Sequence, residues 1–321
     1  MRVIVVGTGA VGGYFGARLV RSGAEVTFVA RGEHGRAIRE RGLSIISPYG
    51  DFSVRAPVIE RITDGSRFDL ALVAVKNTAL PEVARDIGSV LHPSGVAVST
   101  LNGVASDDVL GDAIGRERVV GAVAMFGGRR QSPGVIRHNA HETLVVGEPW
   151  PPGRGNAVRV VEFLQRHGLP AVIEPQLRAK RWWKMAWNCP FNSVTALARC
   201  TVGNVMAEPK LRNLARGVAE EVVAVARAAG VAIADDVVDQ VMGRNGDLGH
   251  LRPSMLGDIE AGRVTENEAL CGTIARLGAQ HGVRTPLSST LHALIGAWDE
   301  RFLDSHIGVH NPVAMRTTSG L

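Results

Sequence analysis

The first half of the chain alternates short apolar runs with stretches whose apolar residues recur at helical spacing. The apolar runs predict buried strands at 3–6, 24–30, 69–75, 95–100 and 118–124, and the other stretches predict helices at 10–22 and 81–90. Runs that are apolar at nearly every position are typical of strands covered on both faces, and strand–helix alternation favours a parallel sheet. Two further runs, 131–137 and 143–147, predict a hairpin-like antiparallel pair at the sheet edge.

The pattern changes in the second half of the chain. After a helix near 158–166 and a short strand at 171–174, strand signals stop, and amphipathic patterns predict helices at 178–199, 207–229, 233–242, 250–261, 266–282 and 286–299. The last dozen residues are predicted to be a tail. We therefore predict an α/β protein in which an N-terminal Rossmann-like doubly wound sheet, residues 1–174, precedes an all-helical C-terminal domain, residues 175–321.

The turn after the first strand has the glycine spacing of a dinucleotide site. The turn consists of Gly7, Thr8, Gly9, Ala10, Val11 and Gly12. Gly7 permits the tight turn, Gly9 lets the backbone approach a pyrophosphate, and Gly12 lets the helix lie close to the sheet. The free N–H groups at the start of that helix favour phosphate. The alternative is a glycine-rich strand–helix turn that binds no ligand.

The end of the second strand indicates which dinucleotide is bound. NAD-binding proteins usually have an acid about 20 residues past the glycines, for the ribose 2′-hydroxyl. This chain has Arg31 there, with Glu33 nearby. A guanidinium can bind a 2′-phosphate through two parallel hydrogen bonds, so Arg31 favours NADPH over NADH. The alternative is a solvated loop arginine.

Length and composition are those of a two-domain globular protein. The chain has 321 residues, of which 45% are hydrophobic and 21% charged. Its three cysteines lack paired metal spacing, so we expect reduced thiols, no metal site and a cytoplasmic protein. We expect no signal peptide, because the first predicted strand begins directly after Met1, and no membrane span, because no apolar run approaches ~20 residues.

The charge balance is basic, with a formal net charge of +5 and a pI near 9.5. The basic residues are scattered and no nucleic-acid-binding motif occurs, so we expect no nucleic-acid partner. A positive field suits a polyanionic cofactor and a small carboxylate substrate.

A polar stripe in the second half is the best candidate for chemistry. Lys184, Asn188 and Asn192 recur every four residues, which places them on one helix face within a very apolar segment. Burying these groups is costly unless something polar meets them, so the spacing favours a face that binds a ligand. The alternative is a solvated outer face, supported by the basic residues in 178–181. Pro190 is expected to kink this helix.

Other candidates have ordinary structural explanations beside the functional one. Lys76 and Asn102 follow strand ends, where ligands bind in doubly wound sheets, yet both also suit loops. Thr265 and Glu268 have the spacing of a capping box, which places Glu266 in a helical first turn, where an acid is favourable without any catalytic role.

Together these segments resemble the ketopantoate reductase (2-dehydropantoate 2-reductase) family over nearly the whole chain. The resemblance rests on the glycine turn with Arg31, Val75-Lys76, Asn102-Gly103, Pro133-Gly134, Lys184-x3-Asn188-x3-Asn192 with Thr195-Ala196-Leu197, and Ser254-Met255-Leu256-x-Asp258-x-Glu260-Ala261-Gly262-Arg263 before Thr265-Glu266. The last two segments are the specific ones, because the first fits many dehydrogenases.

The resemblance implies an NADPH-dependent oxidoreductase of pantothenate biosynthesis that reduces the C2 ketone of 2-dehydropantoate to pantoate in a cleft between its two domains. By this likeness Lys184 is the catalytic acid, and Glu266, the second catalytic residue, holds the substrate hydroxyl. The substrate-binding residues by this likeness are Asn102, Asn188, Asn192 and Ser254. The cofactor-binding residues are Gly7, Thr8, Gly9, Ala10, Val11, Gly12, Arg31, Lys76, Asn102 and Glu266.

Three positions depart from the family pattern near the cleft. Leu101 stands where the family more often has glutamine, Asn267-Glu268 replace the usual Ile-Asp, and residues 77–80 lack the glutamine or acid that often follows the lysine. These departures keep open a related NADPH-dependent dehydrogenase acting on another 2-keto acid or on an opine-type imine. A regulator that senses NADP(H) without turnover is the alternative from another class. The oligomeric state is left open, a homodimer included.

Overall fold

A computed structural model describes residues 1–63, 65, 67–150, 153–243 and 249–307, the side chains of 302–307 excepted. Among these residues a single sheet contains ten strands: β1 (Arg2–Val6), β2 (Glu25–Val29), β3 (Leu43–Ile46), β4 (Phe52–Val54), β5 (Val58–Ile59), β6 (Phe68–Val73), β7 (Leu91–Ser99), β8 (Val119–Ser132), β9 (Val135–Gly147) and β10 (Ala171–Ile173). Its helices are α1 (Ala10–Arg21), α2 (Gly32–Arg41), α3 (Leu80–Val90), α4 (Ser106–Ile114) and α5 (Asn156–Arg166). The predicted Rossmann-like sheet is confirmed, and α2 with strands β3 to β5 fills a region that the sequence pattern left unassigned.

The strand order places a ligand-binding crevice beside β1. The order is β4-β3-β9-β8-β7-β6-β1-β2-β5, with β10 alongside β9, and every neighbouring pair from β5 to β8 is parallel. The chain passes from β1 to β2 on one side and later returns to β6 on the other, so the order reverses at β1. In open α/β sheets, ligands bind outside the carboxyl ends of the strands at such a reversal.

The predicted pairing of 131–137 with 143–147 is wrong, although an antiparallel hairpin does turn at Pro133-Gly134. Both runs contribute to one long strand, β9, which is antiparallel to β8, and the turn lies at Pro133-Gly134. Gly134 has φ +79°, a conformation that glycine adopts without strain. The pair is not at the sheet edge either, because β3 and β10 both pair with the other side of β9.

Alternate residues of the buried strands enter different cores, which explains their nearly continuous apolar runs. Val3 and Val5 of β1 face a core with α1 and α5, whereas Ile4 and Val6 face a core with α3 and α4. All four side chains are at most 1% exposed. A strand buried on both faces needs apolar residues at every position, as the sequence pattern indicated.

The chain beyond β10 is helical in its described part, as predicted. Its helices are α6 (Leu177–Ala198), α7 (Val202–Ala207), α8 (Pro209–Ala228), α9 (Val237–Gly243), α10 (Ser254–Glu260), α11 (Thr273–His281) and α12 (Pro286–Ile307). The bounds of α6 lie within one residue of the predicted 178–199, and the helix continues through Pro190. The pattern missed α7, and it ended the last helix eight residues before Ile307.

The predicted capping box at Thr265 does not form. The Thr265 N–H and hydroxyl both donate to the Asp299 carboxylate of α12, at 2.8 Å each, and Glu268 instead pairs with His292 at 2.9 Å. A π-helical turn, Glu268–Gly272, then leads into α11. Glu266 therefore lies in an irregular segment just before the π-helical turn. Because π-helical turns occur frequently at functional sites, this segment is a candidate for function.

Within the described ranges, no helix combines the length and the apolar character that crossing a membrane requires. The predicted tail falls outside the described residues.

Candidate active site

The glycine turn has the shape that a dinucleotide's phosphates require. Gly7 has φ +96°, and a Cβ there would come within 2.7 Å of the backbone of Ala74 and Val75. A Cβ at Gly12 would approach the Gly7 carbonyl oxygen to 2.1 Å, so α1 packs against the turn only because Gly12 is glycine. At Gly9, which precedes the first residue of α1, an added Cβ would meet no described atom within 4 Å. The first N–H groups of α1 therefore face an open approach suited to a pyrophosphate.

A buried histidine, His34, fixes the turn from behind. Its Nε2 lies 2.7 Å from the Thr8 carbonyl oxygen, and the Gly134 N–H donates to its Nδ1 at 2.9 Å. Because Nδ1 accepts, the proton of the neutral ring is on Nε2 and is donated to Thr8. Burial lowers the pKa of His34, which favours this neutral form. The Thr8 hydroxyl donates to the Val29 carbonyl at 3.0 Å, so the side chain of Thr8 also holds the turn.

Arg31 lies at the carboxyl end of β2, directly before α2. Its guanidinium is half exposed and lies 3.6 Å from the Glu82 carboxylate of α3. An exposed pair at this distance is weak, so the guanidinium can exchange Glu82 for a phosphate. Its ion-pair partner is thus Glu82 of α3.

Lys184 projects from α6 toward the sheet and is half buried. Its ammonium donates to the Ala124 carbonyl of β8 at 2.8 Å. Burial, helped by the neighbouring charge of Arg181, lowers the pKa of Lys184 to about 8, although Glu266 acts in the opposite direction. Desolvation therefore outweighs the carboxylate, a question that the sequence left open. A narrow cleft lies at this ammonium, and it is lined by Leu101, Asn102, Gly103, Val123, Arg181, Lys184, Met185 and Asn188.

Arg181 is buried, so the alternative that this stretch of α6 is a solvated face does not hold there. Its guanidinium pairs with Asp107 of α4 at 2.7 Å and donates to the backbone carbonyls of Leu101 and Ser99 at 3.0 and 3.1 Å. These bonds fix the loop after β7 that carries Asn102. Arg181 was not among the predicted site residues, because its partners lie 74 to 82 residues away in the chain.

Glu266 faces this loop from the helical half of the molecule. Its Oε1 accepts from the backbone N–H of Asn77 at 3.1 Å and from the Asn77 side-chain amide at 2.9 Å. Its Oε2 lies 3.5 Å from the Asn102 amide nitrogen. The Asn102 Oδ1 in turn lies 3.5 Å from the Asn188 amide nitrogen, so Asn102 connects Glu266 to α6. Asn77 was not among the predicted site residues, since asparagine in a turn is unremarkable.

The polar stripe divides into two parts. Lys184 and Asn188 line the cleft, but the side chain of Asn192 is occupied elsewhere. Its Oδ1 accepts from the Ser254 hydroxyl and from the Met255 N–H, both at 3.2 Å, and its amide donates to the Asn188 carbonyl at 3.1 Å. Asn192 thus joins α6 to the start of α10, with Ser254 as its partner.

Lys76 contacts the helical half of the molecule. Its ammonium donates to the Val264 carbonyl at 2.7 Å and to the Asp258 carboxylate at 3.1 Å. Lys76 and Asn77 together therefore hold the segment that leads to Glu266. Among the described residues there is no group of three His, Cys, Asp or Glu side chains that could bind a metal ion.

Known proteins of one family match both halves of the chain. The family described as "Ketopantoate reductase PanE/ApbA" matches residues 3–150, and its C-terminal counterpart matches residues 176–299. A 2-dehydropantoate 2-reductase of Mesorhizobium japonicum is 28% identical over 316 residues, covering 92% of this chain and 97% of that protein.

Two solved structures extend the similarity to the fold. The crystal structure of 2-dehydropantoate 2-reductase from Geobacter metallireducens is 32% identical with a TM-score of 0.87, over 92% of this chain and 99% of that one. A ternary structure of D-mandelate dehydrogenase with NADH and anilino(oxo)acetate has a TM-score of 0.88 over 94% of this chain and 100% of that one. At 21% identity, it shows a shared fold alone.

Proposed function

The chain belongs to the ketopantoate reductase family of oxidoreductases, and we propose that it reduces the C2 ketone of 2-dehydropantoate to pantoate with NADPH. The observation that carries this proposal is the Lys184 ammonium, which lies beside Asn102 and Asn188 in the cleft with its pKa lowered to about 8. An ammonium with a pKa near neutral pH can give up its proton readily, which a general acid requires.

The residues of the sheet suit the cofactor. The open approach at Gly9 and the start of α1 would hold the pyrophosphate, and Arg31 would bind the 2′-phosphate. NADPH supplies a hydride from its nicotinamide when bound. The proposed preference for NADPH over NADH rests on Arg31 and on the lack of an acid at the end of β2. The structure of D-mandelate dehydrogenase, by contrast, was solved with NADH.

The side chains of the cleft divide the remaining chemistry. Lys184 would donate a proton to the substrate oxygen as negative charge develops there, and its own charge would stabilise that oxygen. Asn188 and Asn102 would orient the substrate's polar ends, and Glu266 would accept a hydrogen bond from its hydroxyl. Asn192 and Ser254 would support this arrangement through the bond that joins α6 to α10. Arginine could not replace Lys184 as an acid, because it does not release its proton at these pH values.

A substrate panel tests the proposal. We expect NADPH oxidation to be fastest with 2-dehydropantoate when it is compared with pyruvate, 2-ketoisovalerate and 2-oxoglutarate, each assayed with NADPH and NADH. Faster turnover of another keto acid would contradict the substrate assignment while leaving the reaction type intact. NADPH binding without turnover of any keto acid or imine would instead indicate the NADP(H)-sensing regulator.

A related dehydrogenase acting on another 2-keto acid or an opine-type imine is the second candidate. The observation that favours it is Leu101, a cleft-lining residue at a position where the family more often has glutamine. The domain boundary at residue 174, the cytoplasmic location and the absence of a nucleic-acid partner stay predictions.

A further inference from the structure

Asn77 is the residue through which the sheet holds the carboxylate of Glu266. It lies in a short 3₁₀ turn, Asn77–Ala79, directly after the strand end that bears Lys76. Its backbone N–H and its side-chain amide both donate to the same oxygen, Glu266 Oε1, at 3.1 and 2.9 Å. The side-chain amide also donates to the Asn102 carbonyl at 3.1 Å. One side chain thus contacts two residues of the candidate site.

Two donors on one oxygen hold Glu266 Oε1 at Asn77. Hydrogen bonds to a charged acceptor are shorter and stronger than neutral ones, so this pair restrains Glu266 effectively. With Oε1 held by Asn77, Oε2 is the oxygen on the side of Asn102 and the cleft. Lys76 anchors the same segment two residues earlier through the Val264 carbonyl.

The position of Glu266 matters because its charge acts on Lys184. The charged groups that influence the Lys184 ammonium are Arg181 of the same helix and Glu266 of the facing segment, with Asp107 behind Arg181. Glu266 raises the pKa of Lys184 against the effects of burial and of Arg181. If the Glu266 carboxylate moves away from the cleft, it stabilises the protonated form of Lys184 less.

We propose that Asn77 is a positioning residue that holds Glu266 in the orientation in which it serves the substrate hydroxyl and the Lys184 ammonium. This inference rests on the proposed function. It assigns a role to a position where the sequence departs from the family pattern, because Asn77 begins the stretch that lacks the family's glutamine or acid.

Asn77→Ala tests the role, with Thr78→Ala as its matched control. Thr78 is the next residue of the same turn and is exposed. We expect Asn77→Ala to lower kcat on the order of tenfold or more, since small misplacements of a reacting group have effects of this size. The KM for NADPH should rise by a smaller factor than kcat falls, because the proposed phosphate contacts are those of the glycine turn and Arg31, which the substitution leaves in place. Asn77→Gln, which keeps the amide donor, should recover part of the loss, and Thr78→Ala should behave as the wild type.

The pH profile separates positioning from simple damage to the fold. Reduction needs protonated Lys184, so activity falls as pH rises through its pKa. Asn77→Ala keeps the backbone N–H but removes the side-chain donor to Glu266. With its restraint weakened in this way, the carboxylate supports the ammonium less, the pKa of Lys184 falls, and the alkaline limb of kcat/KM moves to lower pH. A limb that stays in place or moves to higher pH overturns the proposal, as does an equal loss in Thr78→Ala.

A double-mutant comparison tests the route through Glu266. Because Asn77 is proposed to act through this carboxylate, Asn77→Ala should have little further effect on kcat in a Glu266→Ala background. Independent, multiplying losses would show that Asn77 acts by another route and would overturn the proposal.

A measurement without turnover keeps this inference distinct from the proposed function. The rate at which an amine-reactive reagent modifies Lys184, followed by peptide mass spectrometry against pH, reports the pKa of that amine. If the wild type reduces none of the keto acids, the proposed function fails. A lower labelling midpoint in Asn77→Ala would still support the coupling, and an unchanged midpoint would overturn it.

Discussion

Removing the guanidinium of Arg181 should change stability and catalytic pH in separable ways. Arg181→Met keeps most of the side chain's volume but removes the partner of Asp107, and both members of this ion pair are at most 7% exposed in their side chains. It also removes the donors to the carbonyls of Leu101 and Ser99. Breaking a buried pair by deleting one partner typically costs about 3–5 kcal/mol, because it leaves an uncompensated buried charge. We expect Arg181→Met to lose this much free energy of unfolding.

The second variant separates the charge from the packing. In Arg181→Met with Asp107→Asn, no unpaired charge remains at position 107, and an unsatisfied neutral group costs only about 1–3 kcal/mol. The double variant should therefore be more stable than Arg181→Met alone. Urea-induced unfolding, followed by circular dichroism, measures both differences. A single variant as stable as the wild type, or a double variant less stable than the single one, would refute the reasoning.

The catalytic effect has a definite sign. The charge of Arg181 lowers the pKa of Lys184, which lies one turn further along α6. In Arg181→Met that pKa should rise, and the alkaline limb of kcat/KM for reduction, expected near pH 8 in the wild type, should move to higher pH. This shift is opposite to the one expected for Asn77→Ala. A limb that stays in place would show that Arg181 acts on the fold alone.

Three further predictions concern the ammonium, the 2′-phosphate and the glycine turn. Lys184→Ala should lower turnover by about 10²–10⁴-fold, the usual contribution of a general acid, while NADPH affinity by fluorescence titration is nearly kept; a variant within tenfold of the wild type would exclude this role. Arg31→Ala should weaken NADPH far more than NADH in the same titration, and equal weakening would remove Arg31 from the 2′-phosphate. Gly9→Ala should fold with a near-normal melting temperature yet bind NADPH more weakly, whereas Gly12→Ala should be strongly destabilised, because its Cβ would approach the Gly7 carbonyl oxygen to 2.1 Å. Comparable melting temperatures for the two variants would contradict this reading of the turn.

The sequence predicted those parts of the fold that depend on neighbouring residues in the chain. The unit of β1, glycine turn and α1 was predictable because the spacing of its apolar residues and the conformations of its glycines depend on the local chain. The helix α6 was predicted within one residue at each end because the spacing of its apolar residues is likewise local. The error at β9 arose where tertiary pairing overrides a local pattern. Irregular register with β8 between Phe126 and Gly128 lets β9 continue through polar residues that look like a turn.

The sequence also supplied the chemical inventory of the site: a glycine turn, an arginine in place of an acid, a lysine among apolar residues, and the resemblance to one reductase family. It could not assign the partners of the polar side chains. Asn188 and Asn192 lie on the same helix face, yet one lines the cleft and the other joins two helices.

The tertiary structure alone decided which groups act on Lys184. Asn77 and Glu266 are 189 residues apart in the chain, and Arg181 and Asp107 are 74 apart, so no local pattern connects them. Charge and hydrogen bonding act through space, and their strength depends on burial, which exists only after the sheet and the helices have packed together. The chain supplies the Lys184 ammonium, and the packed fold determines how readily that ammonium gives up its proton.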